Sequence, residues 1–212
     1  MKAWRWAVTL AACALAAGCT TTVTGAAIAG STAIGAAPAP APTPTQRTTT
    51  NCSGGTVIQP KGAPYCYLLP TGFNDATGQL TFSYESTNSS KYESAVAVGV
   101  HDAVIVAVYP LRENSDSLSA SVLSDQVDTV LGQGESAGFT VAGDPVQTTV
   151  DNTRAFRTTI KQNDGQYAAT IYFAFRGFTE IEINCQYSAK QSDIERGCTS
   201  VRQTIQITDP PK

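Results

Sequence analysis

The stretch Phe156–Tyr187, FRTTIKQNDGQYAATIYFAFRGFTEIEINCQY, decides the fold class. It divides into three segments in which apolar and polar residues alternate, the period of a strand whose two faces meet different surroundings. Phe156, Thr158 and Ile160 share one face; Tyr167, Ala169, Ile171, Phe173 and Phe175 form the next inner row; Ile181, Ile183, Cys185 and Tyr187 form the third. The opposite faces carry Arg157, Lys161, Arg176, Glu180 and Glu182. Asn163-Asp164-Gly165 is a strong hairpin signal between the first two segments, and Gly177 marks a shorter link between the second and third. A three-stranded meander is expected.

Upstream, Leu80, Phe82 and Tyr84 alternate with Thr81, Ser83 and Glu85, a further strand with one buried face. Ala95–Val100 and Ala103–Tyr109 are nearly all apolar, which is the pattern of central strands covered on both faces, joined by a tight turn at His101-Asp102. Two amphipathic helices interrupt the strands. In the first, expected over 117–132, Leu123, Val127, Val130 and Leu131 form the apolar stripe and Gly132 is placed to end it. The second, expected over 192–206, opens with a capping box, Ser192-x-x-Glu195, and buries Ile194, Cys198, Val201 and Ile205. Strands with two interspersed helices make an α+β fold, one domain over residues 51–209.

Cys185 lies on the buried face of its strand and Cys198 on the buried face of the last helix, so both point into one helix–sheet seam. Of the three pairings four cysteines allow, Cys185–Cys198 is therefore the natural one, leaving Cys52–Cys66. Structural zinc sites favour short C-x₂₋₄-C pairs, and these spacings are far longer, so no metal is expected.

The first residues read as an address. Lys2 and Arg5 precede an apolar run, Ala7–Ala17, and Gly18-Cys19 follows at once, the layout of a secretory signal over residues 1–18. The run is too short to cross the roughly 30 Å of a bilayer's hydrocarbon. Leu15-Ala16-Ala17-Gly18-Cys19 resembles the lipobox of bacterial lipoproteins, which implies acylation of Cys19 and a lipid anchor on the extracytoplasmic face of the cell membrane. The common pattern has Leu three residues before the cysteine, where this chain has Ala16. Residues 19–50 are rich in Ala, Gly and Thr and carry Pro38, Pro40, Pro42 and Pro44, with Arg47 the only charge. Small side chains bury too little area to offset chain ordering, so this segment is expected to be a tether, with Thr/Pro positions suited to O-linked sugars.

The 212 residues carry 14 Lys plus Arg against 17 Asp plus Glu, a net charge of −3. Removing Lys2 and Arg5 makes the balance more acidic still, which argues against a nucleic-acid binder. Both tryptophans, Trp4 and Trp6, leave with the signal, and so does Cys13. His101 is the sole histidine and falls in a turn, so a Ser or Cys nucleophile lacks its usual base. Glu180 and Glu182 share a strand face, with Cβ atoms about 7 Å apart, but that face is expected to receive Arg157 and Lys161 from the meander and to be a solvated surface of opposite charges. No phosphate-binding glycine loop is present and no cofactor is expected.

The run Tyr65-Cys66-Tyr67-Leu68-Leu69-Pro70-Thr71-Gly72-Phe73, followed by a helix, Gly138-Phe139, strands and a closing helix, resembles the PsbP-like (Mog/PsbP/LpqN) domain of actinobacterial cell-envelope lipoproteins. The resemblance covers roughly residues 65–208 and implies an antiparallel sheet flanked by helices, an α/β/α sandwich, used to bind other proteins rather than for catalysis. Phe73 stands where that family often has Trp, and the two disulfides are not general to the fold. The expected function is that of a non-catalytic, lipid-anchored envelope protein whose domain binds a protein or cell-wall partner. The alternative is a carrier or sensor of a small apolar ligand held between sheet and helices by the row Tyr167, Phe173, Phe175 and Tyr187.

Overall fold

The computed structural model describes residues 51–79, 90–136 and 138–208. The signal, Cys19, the tether and the strand expected around Leu80, Phe82 and Tyr84 lie outside the described residues. In chain order the elements are β1 (Val57–Ile58), β2 (Tyr65–Leu68), β3 (Asn74–Asp75), β4 (Tyr92–Ala97), β5 (Ala103–Pro110), α1 (Ala120–Ser136), β6 (Phe139–Val141), β7 (Val146–Val150), β8 (Thr153–Gln162), β9 (Ala168–Arg176), β10 (Thr179–Tyr187), α2 (Gln191–Thr204) and β11 (Gln206–Ile207). A single 3₁₀ turn, Ser115–Ser117, precedes α1.

The main sheet is antiparallel in every pairing and runs β3-β4-β5-β10-β9-β8-β6, with β7 also paired to β8. The meander β8-β9-β10 forms as its alternation requires. Helix α1 covers one face: Leu123, Val127 and Leu131 pack on Phe156, Ala169, Ile171, Phe173 and Phe175. Helix α2 covers the other, where Ile194, Cys198 and Val201 meet Val96, Val104, Val106, Ile181, Ile183 and Cys185. The architecture is thus the α+β sandwich of an antiparallel sheet between helices.

A second sheet, β1-β2-β11, adds Ile58, Tyr65, Tyr67 and Ile207 to the α2 side. Two stacked tyrosines fasten it to the main sheet. The hydroxyls of Tyr65 and Tyr67 lie 2.8 and 3.0 Å from Oγ of Ser94 on β4, and Tyr65 also donates to the Val106 carbonyl at 3.1 Å. These buried polar groups are paired with one another, which removes the cost of taking them out of water.

Several boundaries differ from the sequence expectation. Strand β4 stops at Ala97, because Val98 N–H donates to the Asp102 carbonyl across a tight turn, and Val100 at the tip is 80% exposed. Of the two strands expected to be central, β5 is interior, whereas β4 is flanked outwardly by only the two-residue β3. Helix α1 starts at Ala120, with Ser119 Oγ accepting from Val122 N–H at 3.3 Å. It runs through Gly132 to Ser136, since Leu131 is held in the core and Gly132 keeps ordinary helical φ; the left-handed residue beyond the end is Gly138, φ +96°. Val130 is 38% exposed, outside the stripe that packs.

Helix α2 begins at Gln191, and no side chain caps it from the position before, Lys190. The expected box does not form: Glu195 instead accepts from Gln191 Nε2 at 2.8 Å. Asp102, from the β4–β5 turn, takes over the approach to the helix. Its Oδ1 accepts the N–H groups of Ser188, Ala189 and Lys190 at 2.9, 3.1 and 2.8 Å, and Oδ2 accepts the Ser188 hydroxyl at 3.2 Å. Both disulfides are those expected, Cys52–Cys66 and Cys185–Cys198, with Cα separations of 6.1 and 5.8 Å.

Candidate functional site

The two-residue link Gly177-Phe178 sets the register of the β9–β10 hairpin by placing Thr179 opposite Arg176. Phe175 then faces Glu180 and Phe173 faces Glu182, and residues directly opposite one another in an antiparallel ladder project to the same side. The two carboxylates therefore stand on the α1 side, in line with the phenylalanines. Arg157 pairs with Tyr172, and Tyr172 with Ile183, so Arg157 and, by the same alternation, Lys161 project to the α2 side. The expected surface of opposite charges is not formed, because acids and bases occupy opposite faces of the sheet.

On the β5 side, Tyr109 lies directly opposite Glu180. Across β10 and β5, Glu182 lies opposite Ala107, and Ala107 lies opposite Glu93 on β4. Asn184 Nδ2 reaches Glu182 Oε1 at 3.5 Å, while its buried Oδ1 has no partner. Burial, reinforced by the Glu182 charge, pushes the Glu180 carboxyl up to about 8. Burial also lifts Glu182, to about 7, with the Asn184 contact lowering it and Glu93 raising it. Such a pair holds and releases a proton near neutral pH, the behaviour required of a general acid or base. Among the described residues, no group of three His, Cys, Asp or Glu is arranged to hold a metal ion.

Asp102 is the opposite case. Burial works to raise its pKa, but the N–H groups of Ser188, Lys190 and Ala189 and the Ser188 hydroxyl outweigh it and hold the carboxyl below the ordinary carboxylate range. His101, next to it, is exposed in the turn, and its carbonyl accepts from Gln186 Nε2 at 3.3 Å. The structure brings it near neither glutamate as a catalytic partner would require.

The four aromatic residues expected to form one row do not share a surface. Phe173 and Phe175 are buried beneath α1 with Phe156, whose ring meets that of Phe175 edge-on at 6.1 Å. Tyr187 packs at the margin of the α2 side, and Tyr167 sits at the β8–β9 end, 5.9 Å from the Phe139 ring. Phe173 and Phe175 are spent on core packing. A shallow cavity of about 260 Å³ opens elsewhere, between α1 and the β6–β7 link, and Asp128, Glu135 and Asp144 line it with Leu131 and Val141.

No known protein family matches the chain, and no curated protein does. Solved structures resemble it in outline. Cyanobacterial PsbP (CyanoP) from Synechocystis is 8% identical, with a TM-score of 0.49 over 72% of this chain and 91% of that one. LpqN of Mycobacterium tuberculosis, described as involved in cell envelope biogenesis, is 11% identical, with a TM-score of 0.42 over 74% of this chain and 87% of its own. A Bacteroides thetaiotaomicron protein is 10% identical, with a TM-score of 0.46; the match covers 73% of this chain and 49% of that longer one.

Proposed function

We propose that the chain is a non-catalytic, lipid-anchored protein of the cell envelope, whose extracytoplasmic domain binds a protein or cell-wall partner. The observation that carries this reading is the pair of disulfides. One ties the start of the domain to β2 and the other ties α2 to β10, and such bridges persist in oxidising compartments outside the cytoplasm. The leader supports the same placement: Lys2 and Arg5, the apolar Ala7–Ala17, and Cys19 after Leu15-Ala16-Ala17-Gly18. Residues 19–50 then serve as the tether between anchor and domain. Among the described residues no helix is long and apolar enough to cross a membrane.

The non-catalytic part of the reading rests on the sites themselves. His101 is exposed in a turn, and the Glu180–Glu182 pair lies among Phe173, Phe175, Tyr109 and Ala107, with acids, Glu182 and Glu93, as the charged groups acting on it among the described residues. The test has two parts. Palmitate labelling of growing cells should mark the wild-type protein and not Cys19→Ala. Crosslinking in intact cells, followed by pull-down, should capture a specific envelope component that is lost with the anchor. Unlabelled wild-type protein would remove the lipid anchor, and saturable turnover of an envelope substrate by the purified domain would remove the non-catalytic reading.

A further inference from the structure

We propose that β7 is a docking edge on which a second copy of this chain adds its own β7, antiparallel and about a two-fold axis through Thr148. The inference goes beyond the envelope reading and stands whether or not Cys19 is acylated.

Strand β7 lies beside β8 at the margin of the main sheet, and among the described residues no strand pairs with its other side. The turn that joins it to β8 fixes which of its backbone groups are spent. Asp151 and Asn152 both have positive φ, +46° and +58°, as in the two-residue type I′ turn, whose flanking pair, here Val150 and Thr153, exchanges N–H···O bonds. The alternation of an antiparallel ladder gives Thr148 with Ala155, and Val146 with Arg157, the same role. The N–H and C=O groups of Gln147 and Thr149 are thus aimed away from β8, and both residues are exposed. Exposed edges are commonly blunted by Lys, Pro or brevity. The opposite margin of this sheet ends in the two-residue β3, whereas the five residues Val146–Val150 carry no charge and no proline.

The sequence of the strand selects its occupant. Val146-Gln147-Thr148-Thr149-Val150 reads nearly the same in both directions about Thr148, which is what an isologous contact demands, since residue i meets j and j meets i. With the axis at Thr148, Val146 lies opposite Val150 of the second copy, Gln147 opposite Thr149, and Thr148 opposite its equivalent. Both Gln147–Thr149 pairs then join outward-facing groups, and each exchanges two backbone hydrogen bonds. An axis at Gln147 or Thr149 would leave a single such pair within the strands and aim the rest at Pro145, which has no N–H, or at the Asp151 turn. Val–Val and Thr–Thr neighbours line one face, pairs that favour a ladder, and Val146, 53% exposed in the single chain, gains a partner.

The charges that border β7 agree with this arrangement. Arg157, the ladder partner of Val146, approaches the side of Asp151 of the second copy, which follows Val150. Asp151 faces the α2 side, where its carboxylate accepts Ile207 N–H at 2.7 Å. Asp144 lines the cavity beside α1, on the other face, and Arg154 is held on the Leu118 carbonyl at 2.7 Å.

The test is cysteine crosslinking of the full-length chain, produced with its own leader in intact cells and oxidised with copper phenanthroline. Residues opposite one another at a non-hydrogen-bonded site have Cα atoms about 4.5 Å apart, within reach of a disulfide. Thr148→Cys is therefore expected to give a covalent homodimer. In Gln147→Cys and Thr149→Cys the equivalent residues are diagonal, about 8 Å apart, and should crosslink no more than Gln126→Cys, an exposed position on α1 that measures chance collisions. Within the Thr148→Cys chain, Gln147→Pro removes an N–H that β8 does not use and should lower the crosslinked fraction at least about tenfold. Gln147→Lys/Thr149→Lys, which sets like charges opposite one another without touching the β7–β8 ladder, should do the same. Circular dichroism and the two native disulfides establish that each variant is folded. Equal crosslinking at all four positions would overturn the proposal. So would a Thr148→Cys chain that stays monomeric or joins a different protein, or undiminished crosslinking in the folded double-lysine variant. None of these results depends on whether palmitate labels Cys19, so the edge and the anchor fail separately.

Discussion

Glu180→Gln should stabilise this domain in mildly alkaline solution and do almost nothing in mild acid. The Glu180 carboxyl titrates near 8 in the folded chain and at its ordinary 4.5 when unfolded, so the unfolded chain gives up this proton first. Its contribution to stability is complete below pH 4.5 and is lost as the pH rises toward 8. At about 1.4 kcal/mol per pH unit, an isolated carboxyl with those two values would cost about 1 kcal/mol at pH 5 and about 4 kcal/mol at pH 8. The upward push is shared with Glu182, and the Glu180 side chain keeps some contact with water, so roughly half of that figure, about 2 kcal/mol at pH 8, is the expected gain from a neutral amide of the same shape. The assay is urea unfolding of wild type and variant across this range, with the disulfides intact, followed by far-ultraviolet circular dichroism because residues 51–208 contain no tryptophan. The difference between the two proteins, rather than either curve alone, isolates Glu180 from groups of opposite sign. A variant no more stable than wild type at pH 8, or a gain that is the same at both ends of the range, would refute the burial of this carboxyl.

Asp102 predicts the reverse dependence. Its depressed folded pKa contributes stability that is present at neutral pH and lost as the pH falls through the folded value. Asp102→Ala should therefore cost about 2–4 kcal/mol at pH 7 and much less in strong acid, read from the same unfolding series. A Cβ on Gly197 would fall within 3.0 Å of three atoms of the Phe73 ring. Gly197→Ala should accordingly lose about 1–3 kcal/mol to overpacking, and Phe73→Leu in the same chain should recover part of it, as a double-mutant cycle by thermal melting would report. Replacing the Cys185–Cys198 pair with serines opens a loop with a sequence separation of 13 residues. About 3 kcal/mol should disappear from denaturant unfolding of the non-reduced protein, and an unchanged midpoint would exclude the bridge.

The meander, the pair of amphipathic helices and both disulfides were legible in the sequence, because each rests on a local period or a short connection. Phe156–Tyr187 alternates with period two over every segment, and Cys185 and Cys198 each fall on the apolar face of their own element. The boundaries were less legible, since they are settled by long-range partners. Gly132 is compatible with a helix end or a helix interior, and burial of Leu131 decides between them. Ser192 and Glu195 have the spacing of a capping box, but the carboxylate of Asp102, 86 residues before Ser188, takes the hydrogen bonds at the start of α2.

The face on which each row of side chains lies depends on more than alternation. A period of two says that Glu180 and Ile181 point opposite ways; it does not say which of them joins Phe175. The tight turn at Gly177-Phe178 was the available signal, because a two-residue link pairs Phe175 with Glu180 and Phe173 with Glu182. Both faces of this sheet are covered by a helix, so neither row had to be the solvent row, and an assignment by polarity alone placed the carboxylates opposite Arg157 and Lys161. By itself the sequence determined the meander, the two helices and the cysteine pairing. Tertiary structure alone decided that Glu180 and Glu182 lie on the α1 side and Arg157 and Lys161 on the α2 side, since register across strands, a relation between distant residues, sets which side chains become neighbours.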